Sequence, residues 1–153
     1  MTVWYRASQI NQVRQVFSGD GGLFTAARWN HLGRRIVYCS QSIALCTLEW
    51  LSHNGLSVSG FHYYRYSIDV PEALVKRVTA AHLPKTWNAV PATELTRDFA
   101  EEHLFLSEKY LALALPSVLV PEECNLIINP MHDQFPEVIK TVKNLGKHSA
   151  PLR

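Results

Sequence analysis

The chain has 153 residues, of which 47% are hydrophobic and 18% are charged, and its net charge is +2. This balance is typical of a single globular domain and excludes a disordered chain. The small net charge gives no support for binding to nucleic acid or to an anionic membrane. The three cysteines, Cys39, Cys46 and Cys124, are widely spaced and form no CxxC pair. Their spacing argues against a disulfide framework or a structural zinc site.

The sequence contains no feature that indicates export or membrane insertion. Its first residues, MTVWYRASQ, lack the basic start and the apolar stretch of a signal peptide. No apolar run approaches the length of a membrane span. We therefore expect a soluble, cytoplasmic protein that forms one domain over residues 1–153.

Residue patterns predict strands and helices in a mixed order. Runs rich in β-branched and aromatic residues predict strands, and capped segments with spaced apolar positions predict helices. In the first half, the predicted elements are a strand over Thr2–Ala7, a glycine-rich turn at Ser18–Gly22 followed by an ordered loop through Leu32, a strand over Ile36–Ser40, a helix over Gln41–Asn54, and a strand over Val58–Val70.

In the second half, Pro71 begins a predicted helix to about Ala81, because proline is tolerated in a first helical turn. The later predicted elements are a helix capped by Thr93 with Leu95, Phe99 and Leu106 near one face, a strand over Tyr110–Val120 with an edge or bend at Pro116, a strand over Asn125–Asn129, and a short helix after Phe135 that frays into a basic end. Strands and helices do not alternate regularly. This order predicts an α+β fold with a bent or split, mainly antiparallel sheet.

Several common enzyme motifs are missing from the sequence. There is no GxxxxGK[ST] loop, and the SGDGG turn does not match GxGxxG, which disfavours a Rossmann-type NAD site. None of the seven histidines lies in an HExxH pattern, and no serine lies in GxSxG. Cys39 or Cys46 could supply a nucleophile, but buried structural cysteines are the commoner case.

Four residues stand out as candidates for chemistry: Arg28 within Ala27-Arg28-Trp29-Asn30, Tyr38 in the IVYCS strand, Glu49 in the following helix, and Ser117 after Pro116. Each also has a structural explanation. A lone arginine is most often a surface ion-pair partner, and a tyrosine in a strand is often a core residue. Glu49 could face solvent, and Ser117 could terminate a bend. Taken one at a time, the structural explanation is preferred.

Taken together, the segments resemble the RES domain family, which is named for its Arg, Glu and Ser. The matching pieces occur in order over nearly the whole chain. They are Trp4-Tyr5-Arg6, Arg28-Trp29-Asn30, Gly33, Val37-Tyr38, Leu48-Glu49, Leu83-Pro84-Lys85-Thr86-Trp87, Leu115-Pro116-Ser117-Val118-Leu119-Val120-Pro121, Asn125, Asn129-Pro130, His132 and Phe135. One departure is that Ala26 and Ala27 stand where relatives commonly have glycines.

The resemblance implies a fold related to ADP-ribosyltransferases and a toxin that degrades NAD by hydrolysis or phosphorolysis. It implies catalytic roles for Arg28, Tyr38, Glu49 and Ser117, and NAD contacts from Arg28, Tyr38, Ser117 and Asn125. No metal and no resident cofactor are expected, since NAD is the substrate and inorganic phosphate is a candidate co-substrate. The expected partner is an antitoxin with an Xre-like helix-turn-helix region, without direct nucleic-acid or membrane binding by this chain.

The residue types fit cleavage of the nicotinamide–ribose bond, which generates an oxocarbenium-like centre. Glu49 is predicted to stabilise that centre, Arg28 to bind the pyrophosphate, Tyr38 to contact nicotinamide, and Ser117 to position a ribose, phosphate or amide group. Two alternatives stay open: a mono-ADP-ribosyltransferase that modifies a host protein, and a catalytically inactive domain that binds an antitoxin.

Overall fold

Seven strands form one sheet in the computed structural model, which describes residues 1–55 and 62–149. The strands are β1 (Thr2–Ser8), β2 (Val37–Ser40), β3 (His62–Val70), β4 (Val75–Arg77), β5 (Ala112–Pro116), β6 (Cys124–Ile128) and β7 (Lys143–Ser149). Their order in the sheet is β4-β5-β6-β2-β1-β3-β7. Every neighbouring pair is antiparallel except β4 and β5, which are parallel. The predicted α+β fold with a mainly antiparallel sheet is confirmed.

The sheet is narrow between β1 and β2. Within the described residues these strands share one registered pair, Tyr5 with Ser40. On its other side, β1 pairs with β3 continuously from Thr2 to Ser8. The short junction therefore divides the sheet into two halves, one containing β1, β3 and β7 and the other containing β2, β6, β5 and β4. This division agrees with the predicted bent or split sheet.

Most helices are short. They are α1 (Val13–Val16), α2 (Gly21–Phe24), α3 (Ile43–Asn54), α4 (Glu94–Ala100) and α5 (Phe135–Val138). The long helix α3 begins where Ser42 accepts a hydrogen bond from the Leu45 amide, and it ends at Gly55, whose φ of 69° suits glycine. It packs against β1 and β2. The predicted helix over Gln41–Asn54 is confirmed within two residues at its start.

The two faces of the sheet bury separate cores. Along β5 and β6, alternate residues enter opposite cores, as the two-residue period of a strand requires. Leu113 and Ile127 pack with Trp29 on one face, whereas Ala114 and Leu126 pack with the core on the other. Tyr38 packs against the Trp29 face. Ser40, two residues further along β2, shares that face with Tyr38.

The predicted helix over Pro71–Ala81 is wrong. This segment forms a 3₁₀ turn at Glu72–Leu74, the strand β4, and a second 3₁₀ turn at Ala80–His82. Val75 is buried and pairs with Ala112 of β5, so tertiary pairing overrides the helix-starting preference of Pro71.

The predicted apolar face of the Thr93 helix is correct at Phe99, which packs against the core that contains Trp29, and wrong at both leucines. Leu95 and Leu106 are 53% and 69% exposed, whereas Thr96, Ala100 and Leu104 are fully buried. After α4 the chain forms a π-helical turn over Glu101–Phe105. A π turn inserts an extra residue, so a constant helical period assigns the wrong side chains to the core.

The predicted basic, fraying end is wrong as well. After α5 and a 3₁₀ turn at Ile139–Thr141, residues Lys143–Ser149 form β7, an edge strand antiparallel to β3. Six of its seven residues are exposed, so the strand carries no apolar alternation for a sequence pattern to detect. The predicted strand over Val58–Val70 is confirmed from His62 onward, and its earlier residues lie outside the described part. The predicted strand over Tyr110–Val120 is shorter, ending at Pro116.

Candidate active site

Glu49 turns towards the protein at the ends of β5 and β6. Its Oε1 accepts hydrogen bonds from Ser117 Oγ at 2.8 Å and from Asn125 Nδ2 at 2.6 Å. In the described part of the chain, its second oxygen, Oε2, accepts no hydrogen bond. The carboxylate is therefore anchored through Oε1, and Oε2 is left without a protein donor among the described residues. The alternative that Glu49 simply faces solvent is wrong, because its carboxylate is hydrogen-bonded to two side chains of the protein.

Ser117 has no exposed surface. Its hydroxyl donates a hydrogen bond to Glu49. Its Oγ also accepts hydrogen bonds from the backbone amides of Leu119 at 3.0 Å and Val120 at 3.2 Å. A serine hydroxyl has one donor and two acceptor positions, so all three are used within the protein. The turn after β5 thus fixes Ser117, and Ser117 in turn fixes Glu49.

Asn125 is the second anchor of Glu49. It lies in β6 directly opposite Ser40 of β2. Ser40 Oγ donates to Asn125 Oδ1 at 2.8 Å, while Asn125 Nδ2 donates to Glu49. Ser40 is buried, with 4% of its surface exposed. Sequence reasoning missed Ser40, because its contact with Asn125 depends on the pairing of two strands that are 85 residues apart.

Arg28 is held at one end of its guanidinium. Its Nη1 donates to the carbonyls of Trp87 and Ala89, both at 2.8 Å. In the part that the structure describes, Nε and Nη2 make no hydrogen bond with protein. These two nitrogens form one edge of the guanidinium, which matches two oxygens of a phosphate or carboxylate. Burial lowers the pKa of Arg28, and the charge of Glu49 opposes that shift. An arginine stays protonated in proteins, so the edge is cationic.

Tyr38 is oriented by Asn30. The phenol donates to Asn30 Oδ1 at 2.7 Å and accepts from the Trp29 amide at 3.3 Å. Asn30 is buried, and its Nδ2 donates to the Thr25 carbonyl at 3.0 Å. Burial raises the pKa of Tyr38, so its hydroxyl is neutral at physiological pH. Asn30 was visible in the sequence only as the third residue of the Arg28-Trp29-Asn30 motif.

Helix α4 holds the loop that carries Arg28. Thr96 is fully buried, and its hydroxyl donates to the Arg28 carbonyl at 2.5 Å. The neighbouring Arg97 Nε donates to the Ala27 carbonyl at 2.8 Å. Neither residue was among the sequence candidates. The loop therefore has a fixed backbone at the position from which the Arg28 side chain extends.

The predicted site residues form two groups. Glu49, Ser117 and Asn125 are joined by hydrogen bonds, whereas Arg28 and Tyr38 belong to the loop before β2. The groups are coupled electrostatically, since burial lowers the pKa of Arg28 and the charge of Glu49 opposes that shift. The arrangement places an anchored carboxylate and a cationic edge in the same region of one sheet face.

One group of potential metal ligands lies beside this loop. Ligand atoms of His31, Glu94 and Asp98 all lie within 4.8 Å of one another. The His31 ring, however, contacts Asp98 through Nε2 at 2.7 Å and Glu94 through Nδ1 at 3.4 Å. The same contacts also describe a histidine ring held between two carboxylates without a metal, and the expected absence of a metal stays a prediction.

Comparisons with known proteins identify the family to which this chain belongs. The family model described as the RES domain matches residues 3–149. The chain belongs to the RES domain family. Toxin Res of Photorhabdus laumondii is 34% identical to this RES domain over 143 residues, which cover 94% of the chain and 91% of that protein. The Prs ADP-ribosylating toxin of a Sphingobium strain is 38% identical over 118 residues, covering 75% of the chain and 73% of that toxin.

A solved structure is similar to this RES domain in fold. It is the M. tuberculosis MbcT–MbcA toxin–antitoxin complex, in which the matched chain has a TM-score of 0.68 at 14% identity. The match covers 97% of the RES domain and 83% of that chain. At this identity the likeness shows the fold. The family prediction made from the sequence is confirmed.

The RES domain requires glycine at position 22, upstream of Arg28. A Cβ on Gly22 would lie 1.9 Å from the Arg34 carbonyl oxygen, a distance that no side chain can accommodate. At Ala27, by contrast, the backbone amide donates to Asn30 Oδ1 at 3.2 Å, and the carbonyl accepts from Arg97. Hydrogen bonds therefore fix the backbone of the loop at Ala27.

Cys39 and Cys46 are not suited to act as nucleophiles in the RES domain. Cys39 and Cys46 are buried, and burial raises the pKa of each thiol to about 12. Both are neutral at physiological pH, and a neutral thiol is a poor nucleophile. Within residues 1–55 and 62–149, no helix is long and apolar enough to cross a membrane.

Proposed function

We propose that this chain is the toxin of a toxin–antitoxin pair and that it consumes NAD by cleaving the nicotinamide–ribose bond. The observation that carries the proposal is the Glu49 carboxylate, which is anchored through Oε1 while Oε2 accepts no hydrogen bond in the described part of the chain. The names of the relatives support the toxin assignment. Toxin Res and the Prs ADP-ribosylating toxin both match most of the chain.

The reaction needs a stabilised cation on the sugar. When the bond from ribose C1 to nicotinamide breaks, nicotinamide leaves as a neutral molecule with the bonding electrons, and C1 becomes oxocarbenium-like. A lone pair of water or phosphate then forms the new bond to C1; water also loses a proton. A carboxylate about 4 Å from that centre stabilises it by about 4 kcal/mol at an effective dielectric constant near 20. This corresponds to roughly a thousandfold in rate.

Arg28 is proposed to bind the pyrophosphate through its Nε and Nη2 edge. Because the Trp87 and Ala89 carbonyls hold Nη1, the guanidinium is already oriented before NAD arrives. Preorganisation lowers the entropy cost of binding. Tyr38 is proposed to stack on nicotinamide with its ring, since its hydroxyl already bonds with Asn30 and Trp29.

Ser117 and Asn125 are proposed to act through Glu49. The resemblance implied direct NAD contacts for both residues, but the Ser117 hydroxyl is fully buried and saturated with hydrogen bonds. Asn125 is half-buried and has its amide engaged by Ser40 and Glu49. We therefore assign both residues the role of orienting the carboxylate.

The proposed partner is an antitoxin with an Xre-like helix-turn-helix region. The fold likeness to a chain of a solved toxin–antitoxin complex supports an antitoxin partner in general. The helix-turn-helix type, the cytoplasmic location and the absence of direct nucleic-acid binding stay predictions.

Two substitutions test the proposed function through nicotinamide release, measured with and without phosphate. Glu49→Gln keeps an acceptor oxygen for Ser117 and Asn125 but removes the charge, so we expect kcat to fall by up to about a thousandfold with little change in KM. Arg28→Ala should mainly raise KM. Glu102→Gln is the matched control, because the Glu102 side chain is 78% exposed. Wild-type turnover by Glu49→Gln would overturn the assignment.

A second candidate function keeps the site and changes the acceptor. One relative is named an ADP-ribosylating toxin, which favours transfer of ADP-ribose to a protein. Mass spectrometry separates the two outcomes. Free ADP-ribose or its 1-phosphate supports hydrolysis or phosphorolysis, whereas a mass increase on a host protein supports transfer. No NAD consumption at all would identify an inactive antitoxin-binding domain.

A further inference from the structure

A relay of hydrogen bonds reaches Glu49 from strand β2. Ser40 Oγ donates to Asn125 Oδ1 at 2.8 Å, and Asn125 Nδ2 donates to Glu49 Oε1 at 2.6 Å. We propose that Ser40 is a positioning residue for NAD cleavage, acting on Glu49 through Asn125. The inference rests on the proposed function and adds a residue that neither the sequence motifs nor the four candidates contain.

The direction of each hydrogen bond follows from the carboxylate. An ionised carboxylate only accepts hydrogen bonds, so the NH₂ end of Asn125 must face Glu49. The carbonyl end of the same amide then faces Ser40, and the Ser40 hydroxyl must donate. Without that hydroxyl, Asn125 Oδ1 loses its one hydrogen-bond partner in the described residues. An acceptor that loses its partner in a half-buried position is less stable, so the amide would shift to find another partner.

Backbone pairing places Ser40 at the required distance. Ser40 and Asn125 are directly opposite residues of antiparallel strands, which brings their Cβ atoms to about 4.5–5.5 Å. At that separation one short hydroxyl reaches one short amide without intervening water. Donation by Ser40 to the carbonyl end of Asn125 also polarises the amide, which strengthens the hydrogen bond from its NH₂ group to Glu49. Ser40 therefore affects both the place of Asn125 and its strength as a donor.

A purely structural role for Ser40 predicts a different result. The backbone of Ser40 pairs with Tyr5 and Asn125 whatever its side chain is. Ser40→Ala keeps those pairings and removes the hydroxyl alone. If the hydroxyl served only the sheet, the substitution would lower stability and leave the kinetics of folded protein unchanged.

The first experiment measures kcat and KM for nicotinamide release by full-length variants. We expect Ser40→Ala to lower kcat roughly tenfold with KM within about twofold of wild type, in line with residues that orient a ligating group. Ser40→Thr keeps the hydroxyl and should restore most of kcat. Ser67→Ala is the matched control, since Ser67 is a buried serine of β3 outside the Glu49 relay. If Ser40→Ala does not fold, Ser40→Cys replaces it as a similar-sized, weaker donor.

The second experiment is a double-mutant cycle with Asn125→Ala. If Ser40 acts through Asn125, Ser40→Ala should add no further loss of kcat in the Asn125→Ala background. Wild-type kcat for Ser40→Ala, or two losses that multiply in the double variant, would overturn this inference. Such a result would leave the proposed function intact if Glu49→Gln is inactive. Absence of nicotinamide release by the wild type would overturn the proposed function, and this role with it.

Discussion

Ser117→Ala distinguishes a residue that orients Glu49 from one that contacts NAD. The substitution removes one of the two donors to Glu49 Oε1 and the acceptor of two backbone amides. A hydrogen bond to a charged group contributes about 1.5–3 kcal/mol. If the full amount is realised in the transition state, kcat should fall about 10-fold to 100-fold. KM should change little, because the buried Ser117 hydroxyl does not reach the substrate.

Ser117→Ala should also lower the free energy of unfolding. The two released amides belong to Leu119, which is 42% exposed, and to Val120, which is half-buried, so water can reach this turn. We expect a loss of about 1–2 kcal/mol in unfolding free energy. For a domain of this size the melting temperature should fall by about 2–8 °C. Steady-state nicotinamide release and thermal unfolding by circular dichroism measure the two effects. Ser107→Ala is the control, because Ser107 Oγ also accepts a backbone amide, that of Lys109. An unchanged kcat with a tenfold higher KM would refute the reasoning and indicate direct substrate contact.

Two further experiments concern the ring of Tyr38 and the thiols of Cys39 and Cys46. Tyr38→Phe keeps the ring and removes the phenol that contacts Asn30, so we expect a melting temperature lower by a few degrees and a kcat within about fivefold of wild type. Replacement by alanine should raise KM far more; equal effects of both variants would contradict the stacking role. Iodoacetamide at neutral pH should leave Cys39 and Cys46 unlabelled in the folded protein, since burial raises the pKa of both thiols to about 12. Peptide mass spectrometry checks this, and rapid labelling without unfolding would contradict it.

A family pattern selected the candidate site residues in the sequence more sharply than local chemistry did. Helical periodicity alone left Glu49 as a solvated or a functional glutamate. Its partners Ser117 and Asn125 lie 68 and 76 residues away along the chain, beyond the range of any local pattern. Ordered agreement of many short segments supplied the missing information. Neither approach identified Ser40, because a serine at the end of a strand is common and its contact with Asn125 is set by strand register.

The errors in the predicted fold have a common physical cause. The strands β1, β2 and β6 were predicted within one residue of their observed bounds, because runs of apolar, β-branched and aromatic residues mark them in the sequence. β4 and β7 were missed because β4 is only three residues long and β7 carries polar residues, so each depends on a neighbouring strand for its conformation. The π turn at Glu101–Phe105 has no sequence signal in a constant helical period.

The short strand β2 determines how far apart the two groups of the site lie. Tyr38 belongs to the group of Arg28, and Ser40 belongs to the group of Glu49. Since the two residues are separated by one position on the same strand face, their spacing is fixed at about 7 Å by strand geometry. A slip of one residue between β2 and β6 would turn both side chains to the opposite face. The pairing of Tyr38 with Ile127 and of Ser40 with Asn125 therefore holds the cationic edge and the carboxylate in one geometry. This explains why a four-residue strand, rather than a flexible loop, connects the group of Arg28 with the group of Glu49 in the proposed NAD site.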